Sequence, residues 1–216
     1  GEMLWDFLPS GNQAGGAPMN VALHLNNLGL PTSLISRVGK DVLGEELVSF
    51  VQEKGLATHL IQVDSQHPSG VVNGIVDDKQ EVGYDIVQPS AWDFIEADEV
   101  TKTAVEHASV FVYESLANRH EVSSKALKTL LEMSEGKSKV FDTNLRPPFY
   151  DKPLLENLLN QADLLKINEN ELDEVYQWLG SDGNLAAKMK KVKDQYHIKE
   201  IVATRGANGA AYMGED

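Results

Sequence analysis

Residues 138–180 read SKVFDTNLRPPFYDKPLLENLLNQADLLKINENELDEVYQWLG. Two short strand-like runs, SKVFDTNLR and DLLKIN, are each followed by a helical pattern, PLLENLLNQA and ENELDEVYQWLG. Strands that alternate with helices predict a mostly parallel sheet that helices cover on both faces. The sequence therefore predicts an α/β fold.

The same alternation extends toward the start of the chain. TSLISRVG (32–39) predicts a strand, and DVLGEELVSFVQEKG predicts a helix that Asp41 caps and Gly55 ends. One segment departs from it: SGVVNGIVDDKQEVGYDIV (69–87) has two β-rich runs around the turn-prone DDKQ. We expect a β-hairpin outside the main sheet there, either a lid or oligomer contact or a plain edge hairpin.

Composition limits the classes of protein to consider. The chain has 216 residues, 42% of them hydrophobic, which predicts one domain, and a net charge of -14, which repels nucleic acid and anionic membranes. No apolar run reaches the roughly 18 residues that a membrane span needs. The sequence has no cysteine, which excludes disulfides and thiolate nucleophiles. We expect a cytoplasmic protein with neither a nucleic-acid nor a membrane partner.

A glycine pair stands before a helical pattern in GGAPMNVALHLNNLG (15–29). Pro18 suits the first helical turn, Gly29 the helix end, and Val21, Ala22, Leu25 and Leu28 the buried face. Gly15 and Gly16 allow a close backbone approach, and Asn20 adds a polar group in the first turn. An ordinary helix entry and a ligand site explain these residues equally well, and the stretch lacks the dinucleotide-binding glycine pattern.

A second polar group occurs in FDTNLRPP (141–148). If the strand continues to the prolines, Asp142, Asn144 and Arg146 share one face. Polar groups that converge where a parallel strand ends are typical of α/β active sites. We favour a functional site over a solvated strand end with an ion pair.

Two further motifs carry weaker signals. In KINENEL (166–172), Asn168 and Glu171 are three residues apart at a helix start, where acidic residues are also common for capping alone. In VATRGANGA (202–210), Thr204, Gly206 and Gly209 could bring backbone N–H groups to phosphate oxygens, and a simple hairpin turn fits equally well.

Together, these motifs resemble the PfkB-type, ribokinase-like sugar kinases. GGAPMN and VGKDVLGEEL are similar to the family's sugar-binding signature, and SAWDFI (90–95), FDTNLRPP and LLKINENEL are similar to its fructokinase branch. The resemblance covers the chain in order. It implies a single ribokinase-like α/β domain over 1–216 that lacks its C-terminal part, with the hairpin at 69–87 as the lid.

The resemblance also implies roles for individual residues. Those that bind the sugar would be Asp6, Gly15, Gly16, Asn20 and Arg146, the last near the transferred phosphate. Those that border ATP would be Asn168, Thr204, Gly206 and Gly209. Glu171 completes the family's Asn-x-x-Glu motif, which organises hydrated Mg²⁺, and the family also has a monovalent-cation site, for example for K⁺. In many members the lid makes a dimer contact, so a homodimer is an expectation.

The expected activity is ATP-dependent phosphorylation of fructose. The catalytic aspartate of the family's Gly-Ala-Gly-Asp motif is absent from RGANGA (205–210), so no catalytic base is assigned. Glu114 stands where fructokinases commonly have glycine. Ribokinases have a glutamate that contacts the sugar near this position of the sequence. The alternatives are a kinase of ribose or 2-keto-3-deoxygluconate and a non-catalytic sugar-binding relative.

Overall fold

A computed structural model gives the fold and describes residues 1–8, 11–76, 82–180 and 182–214. The α-helices are α1 (Ala17–Asn27), α2 (Val42–Glu53), α3 (Glu99–His107), α4 (Glu121–Met133), α5 (Lys152–Leu159), α6 (Glu169–Gln177) and α7 (Leu185–Tyr196). The strands are β1 (Leu4–Leu8), β2 (Gly11–Gly15), β3 (Ser36–Gly39), β4 (Ile61–Asp64), β5 (Gly70–Val76), β6 (Val82–Ile86), β7 (Val110–Glu114), β8 (Ser138–Asp142), β9 (Leu164–Asn168), β10 (Glu200–Thr204) and β11 (Ala210–Met213). Short 3-10 helices occupy Ala91–Phe94, Leu116–Asn118 and Gly206–Asn208.

The chain divides into two compact units. Unit 1 consists of Gly1–Thr103 and Ala117–Thr129, and unit 2 of Ala104–Leu116 and Leu130–Asp216. The chain therefore leaves unit 1, forms β7 within unit 2, returns to unit 1 and leaves it again within α4. Neither unit is one continuous segment.

Unit 1 is built on a four-stranded sheet with the order β2-β1-β5-β6. Strand β1 is antiparallel to β2 and parallel to β5, and β5 is antiparallel to β6. Strands β3 and β4 form a separate parallel pair. The predicted hairpin at 69–87 is thus β5 and β6, outside the main parallel sheet, while its predicted turn at DDKQ lies outside the described residues.

Apolar side chains from the first two helices fill the core of unit 1. The fully buried ones include Met19 on α1 and Leu47 and Val51 on α2. Asp41 caps α2 by accepting a hydrogen bond from the Gly44 N–H at 2.8 Å, as predicted. The predicted buried face of α1 is wrong at Leu28, which is 77% exposed because the helix ends at Asn27.

Unit 2 contains the main sheet, with the order β11-β10-β9-β8-β7. Neighbouring strands are parallel except for β10 and β11, which are antiparallel. Phe141, Leu165 and Ile201 are fully buried on adjacent strands, as are Leu155 on α5 and Leu172 on α6. The mostly parallel sheet and the intervening helices confirm the predicted α/β class. Within the described ranges, no helix is both long and apolar enough to span a bilayer.

Candidate active site

The first group of predicted site residues lies where β2 meets α1 in unit 1. Leu4 is paired with Gly15, and Asp6 with Gln13, in the antiparallel register of β1 and β2. A Cβ atom at Gly15 would collide with the Asp6 carboxylate. Gly16 has a φ of 113°, and a Cβ atom there would lie 2.5 Å from the carbonyl oxygen of Glu2. The close approach of the Glu2 backbone therefore requires glycine at position 16, whereas a side chain at position 15 would displace the Asp6 carboxylate.

Helix α1 begins directly after these glycines. Pro18 lies in its first turn, and the Asn20 N–H donates to the Gly16 carbonyl at 3.0 Å. The Asn20 side chain is exposed. Burial raises the pKa of Asp6. The structure thus brings Asp6, Gly15 and Gly16 together, with Asn20 one helical turn further on.

The second group lies at one edge of the sheet in unit 2. Four adjacent parallel strands, β7 to β10, end at Glu114, Asp142, Asn168 and Thr204. The carboxyl ends of parallel strands are the usual place for ligands in α/β folds. A polar side chain at the end of each strand gives this edge the chemistry that such a site needs.

The predicted common face of Asp142, Asn144 and Arg146 is wrong. Strand β8 ends at Asp142, before the prolines, and Asn144 has a left-handed φ of 38°, so the strand alternation stops there. The Asn144 side-chain amide donates to the carboxylate of Glu114 at 2.7 Å. Arg146 is exposed and donates to the Leu145 carbonyl at 2.9 Å.

Asp142 instead pairs with the neighbouring strand. The Lys166 ammonium contacts both carboxylate oxygens of Asp142 at 2.9 Å. Burial raises the pKa of Asp142, the Lys166 ammonium opposes that effect, and Glu171 reinforces it. Two carboxylates and one ammonium therefore lie close together at the ends of β8 and β9.

Asn168 and Glu171 form a reciprocal cap at the start of α6. The Asn168 side chain accepts from the Glu171 N–H, and the Glu171 carboxylate accepts from the Asn168 N–H, each at 3.0 Å. Glu171 also accepts from the Thr143 hydroxyl at 2.6 Å and from the Leu145 N–H at 2.8 Å. Its carboxylate thereby fixes the loop after β8 to the head of α6.

Residues 204–210 connect β10 to β11 as a hairpin turn. Thr204 pairs with Asn168 on β9, which places the turn beside the α6 cap. Gly206 and Gly209 have φ values of 55° and 82° and open space on the side where a Cβ would stand. The Gly209 N–H donates to the Gly206 carbonyl at 3.2 Å, so the turn uses it internally.

Comparison with known proteins identifies the family. Residues 10–216 match the family described as pfkB family carbohydrate kinase. The chain belongs to this family. Fructokinase from Salmonella typhimurium is 28% identical to this pfkB family chain over 223 aligned positions, which cover 97% of the chain and 70% of that protein.

Solved structures share the fold of this pfkB family chain. Fructokinase with bound ATP from Xylella fastidiosa has a TM-score of 0.82 at 23% identity, over 99% of this chain and 68% of that one. Fructokinase from Vibrio cholerae O395, bound to fructose, ADP and a calcium ion, has a TM-score of 0.82 at 20% identity, over 99% of this chain and 71% of that one. The predicted ribokinase-like fold is confirmed.

The described residues can be tested for their fit to a divalent metal ion. The described part of the chain contains no group of three or more His, Cys, Asp or Glu side chains that could hold a metal ion. Both oxygens of Glu171 already accept hydrogen bonds from the protein. Mg²⁺ usually keeps several waters and binds through one or two carboxylates plus substrate phosphates. The residues therefore fit an ion that arrives with phosphates rather than one caged by protein.

Sequence reasoning missed three residues that shape these groups. Glu2 lies before β1, which begins at Leu4, and its partner Ala17 is 15 residues away, so no local pattern revealed it. Lys166 stands two positions before Asn168, and residues two positions apart share one face of a strand. This spacing could have revealed Lys166. Thr143 gave no such signal, because its partner Glu171 is 28 residues away in the chain.

Proposed function

We propose that this sugar kinase is an ATP-dependent fructokinase, which transfers the γ-phosphate of ATP to a hydroxyl of fructose. The observation that most supports this proposal is the glycine turn of unit 1. There Asp6 packs over Gly15, and Asn20 is exposed one helical turn later. The fructokinases with bound ATP and with bound fructose and ADP share its fold, which supports the proposal.

On the sugar side, the proposal assigns hydrogen bonds to Asp6, Gly15, Gly16 and Asn20. The Asp6 carboxylate accepts from sugar hydroxyls, whereas the Asn20 amide both donates and accepts. A hydroxyl acts in both ways as well, so this mixture of groups suits a polyol. Holding the acceptor hydroxyl in place is a large part of what catalyses phosphoryl transfer.

On the phosphate side, the proposal assigns Arg146 to the transferred phosphate and Asn168, Thr204, Gly206 and Gly209 to the nucleotide. Arg146 has five guanidinium donors and is exposed, and one of them is used by the Leu145 carbonyl. The remaining donors suit the charge that develops on the phosphoryl oxygens. No atom lies within 4 Å of the position that a Cβ atom at Gly206 would take, and this open side of the turn is where the proposal assigns the nucleotide.

The proposal includes Mg²⁺ bound to the phosphates of ATP. When bound, the ion would neutralise part of the phosphate charge. Glu171 would help to hold its hydration shell while it fixes the loop after β8, because its carboxylate accepts hydrogen bonds from three protein donors. A K⁺ ion remains part of the proposal by family resemblance.

We also propose that the hairpin β5–β6 is the lid and that two copies of the chain associate through it. The root of the hairpin is firmly held: the Arg119 guanidinium donates to the Ile86 and Val87 carbonyls at 3.2 and 2.9 Å and to the buried Asp93 at 2.6 and 2.8 Å. Light scattering tests the dimer, and a monomer mass at high concentration contradicts it.

The activity test uses purified protein, ATP and Mg²⁺ with fructose, ribose and 2-keto-3-deoxygluconate. We expect phosphate transfer that prefers fructose. Preference for another acceptor would replace fructose as the substrate. Sugar binding without any transfer would favour a non-catalytic sugar-binding protein.

Asn20→Ala tests the sugar side. We expect fructose to bind more weakly by about 1–3 kcal/mol, because a hydrogen bond that the sugar buries is lost. Calorimetric titration measures it. The matched control is Asn27→Ala, at the exposed far end of α1, which should leave the dissociation constant unchanged. An unchanged constant for Asn20→Ala removes this residue from the site.

A further inference from the structure

The start of α1 is capped in an unusual way. Its N-cap is Gly16, which has no side chain to accept a hydrogen bond, and its first turn contains no acidic residue. Pro18 lacks an N–H group. The usual local devices for a helix start are therefore missing where the sugar is proposed to bind.

Glu2 supplies the cap from outside the helix. One carboxylate oxygen, Oε1, accepts from the Ala17 N–H at 3.1 Å. The residue is only 2% exposed, and its own carbonyl oxygen lies against Gly16. The other carboxylate oxygen, Oε2, is buried and has no hydrogen-bond partner in the described part of the chain.

Glu2 and Asp6 together enclose the glycine turn. Glu2 meets the turn at Gly16 and Ala17, and Asp6 meets it at Gly15. Two carboxylates beside one turn repel a ligand that carries negative charge. At an effective dielectric constant near 20, one such charge at a distance of about 8 Å changes binding by roughly tenfold or more.

We propose that Glu2 is a specificity-determining positioning residue. Its buried carboxylate holds the head of α1 against the segment that precedes β1 and keeps the glycine turn negative, so that the turn admits neutral sugars and rejects sugar acids. This assignment rests on the proposed sugar-binding function and narrows it to neutral sugars.

The test compares two ligands that differ in one group. D-fructose and 2-keto-D-gluconate share their stereochemistry, and the second has a carboxylate in place of the C1 hydroxymethyl group. Calorimetric titration of the full chain gives both dissociation constants without requiring turnover. We expect the wild type to prefer fructose by at least tenfold, and Glu2→Gln to reduce that preference about tenfold. Glutamine keeps an acceptor for the Ala17 N–H and removes the charge.

Two controls separate charge from folding. Glu2→Asp keeps the charge and should keep the preference for fructose, even if both ligands bind more weakly. Asp151→Asn neutralises the carboxylate that caps α5 and should not alter the preference.

Each result decides the matter. An unchanged preference in Glu2→Gln overturns the assignment while sugar binding stands. If Glu2→Gln does not fold, Glu2→Asp decides: a preference for fructose that is kept in this variant supports the assignment, and one that is lost overturns it. A wild type that binds neither ligand overturns the sugar-binding function and this assignment with it.

Discussion

Helices α1 and α6 begin at the two groups of site residues and are capped in opposite ways. At α6, Asn168 and Glu171 cap each other within one turn of helix. At α1, the cap comes from Glu2, 15 residues earlier in the chain. The cap of α6 can be recognised from residues that are close in sequence, whereas the cap of α1 forms only once β1 and β2 have paired.

The two caps also differ in what they leave available. The Glu171 carboxylate accepts three hydrogen bonds from the protein, so it is saturated and mechanically fixed. The Glu2 carboxylate accepts one, and its second oxygen has no partner among residues that the structure describes. The saturated cap therefore contributes to the stability of the fold, and the unsaturated one is the cap to which we assign a role in sugar specificity.

The largest effect is expected from Glu171→Ala. Removing this carboxylate leaves the donors of Thr143, Leu145 and Asn168 unpaired in a buried place, which should lower the free energy of unfolding by about 3–5 kcal/mol. Urea denaturation measures it. The control is Glu169→Ala on the same turn, where the half-exposed ion pair with Arg205 should contribute less than about 1 kcal/mol. Similar losses in the two variants would contradict the difference between the caps.

Gly16→Ala should have the next largest effect. Its φ of 113° is unfavourable for other residues, and the new Cβ atom would meet the Glu2 carbonyl, so we expect a loss of about 2–3 kcal/mol. Gly29→Ala, at the other end of α1, has open space at a φ of 80° and should cost about 1 kcal/mol. Thermal unfolding measures both losses, and equal losses would show that the contact between Gly16 and Glu2 is unimportant.

Asp64, the last residue of β4, extends the comparison to a saturated carboxylate at the end of a strand. Burial alone would raise its pKa, but the N–H groups of Gln66 and His67, the His67 ring and the Arg37 guanidinium lower it to about 2. Because the pKa is lower in the folded chain, the stabilisation of about 2 kcal/mol is complete at neutral pH and is lost as the pH falls from about 4 to about 2.

Asp64→Asn tests that pH dependence. We expect the variant to be less stable at pH 7 and to lose less stability on acidification than the wild type. Asp85→Asn, at an exposed position on β6, is the matched control and should follow the wild-type profile. Parallel wild-type and Asp64→Asn profiles between about pH 4 and pH 2 would exclude Asp64 as the cause.

The smallest effect is expected from Asp151→Ala at the start of α5. Asp151 accepts from the Leu154 N–H at 2.9 Å in an exposed position, an ordinary local cap. Its loss should cost about 1 kcal/mol. Chemical denaturation measures it, and fructose binding should be unchanged. A loss as large as that of Glu171→Ala would mean that burial does not determine how much a cap contributes to the free energy of unfolding of this chain.

The contrast between local and long-range contacts also separates the features that the sequence could predict from those that it could not. Local patterns predicted the strand–helix alternation, the Asp41 cap and the spacing of Asn168 and Glu171, because these depend on residues within a few positions. The predicted end of β8 was wrong: the prolines at 147 and 148 suggested a longer strand, but the strand ends at Asp142, and Asn144, with a left-handed φ, contacts Glu114. That contact joins residues 30 positions apart, which no local pattern contains.

The interleaving of the two units has a consequence for synthesis. On the ribosome, unit 1 cannot be completed until residue 129 has emerged, because Ala117–Thr129 belongs to it. By then β7 is already outside the exit tunnel, while β8, its partner, is still to come. Val110 and Val112, which are 51% and 39% exposed even in the folded chain, would wait unpaired on that strand. We therefore expect the nascent chain to be prone to association during the interval between the emergence of β7 and that of β8.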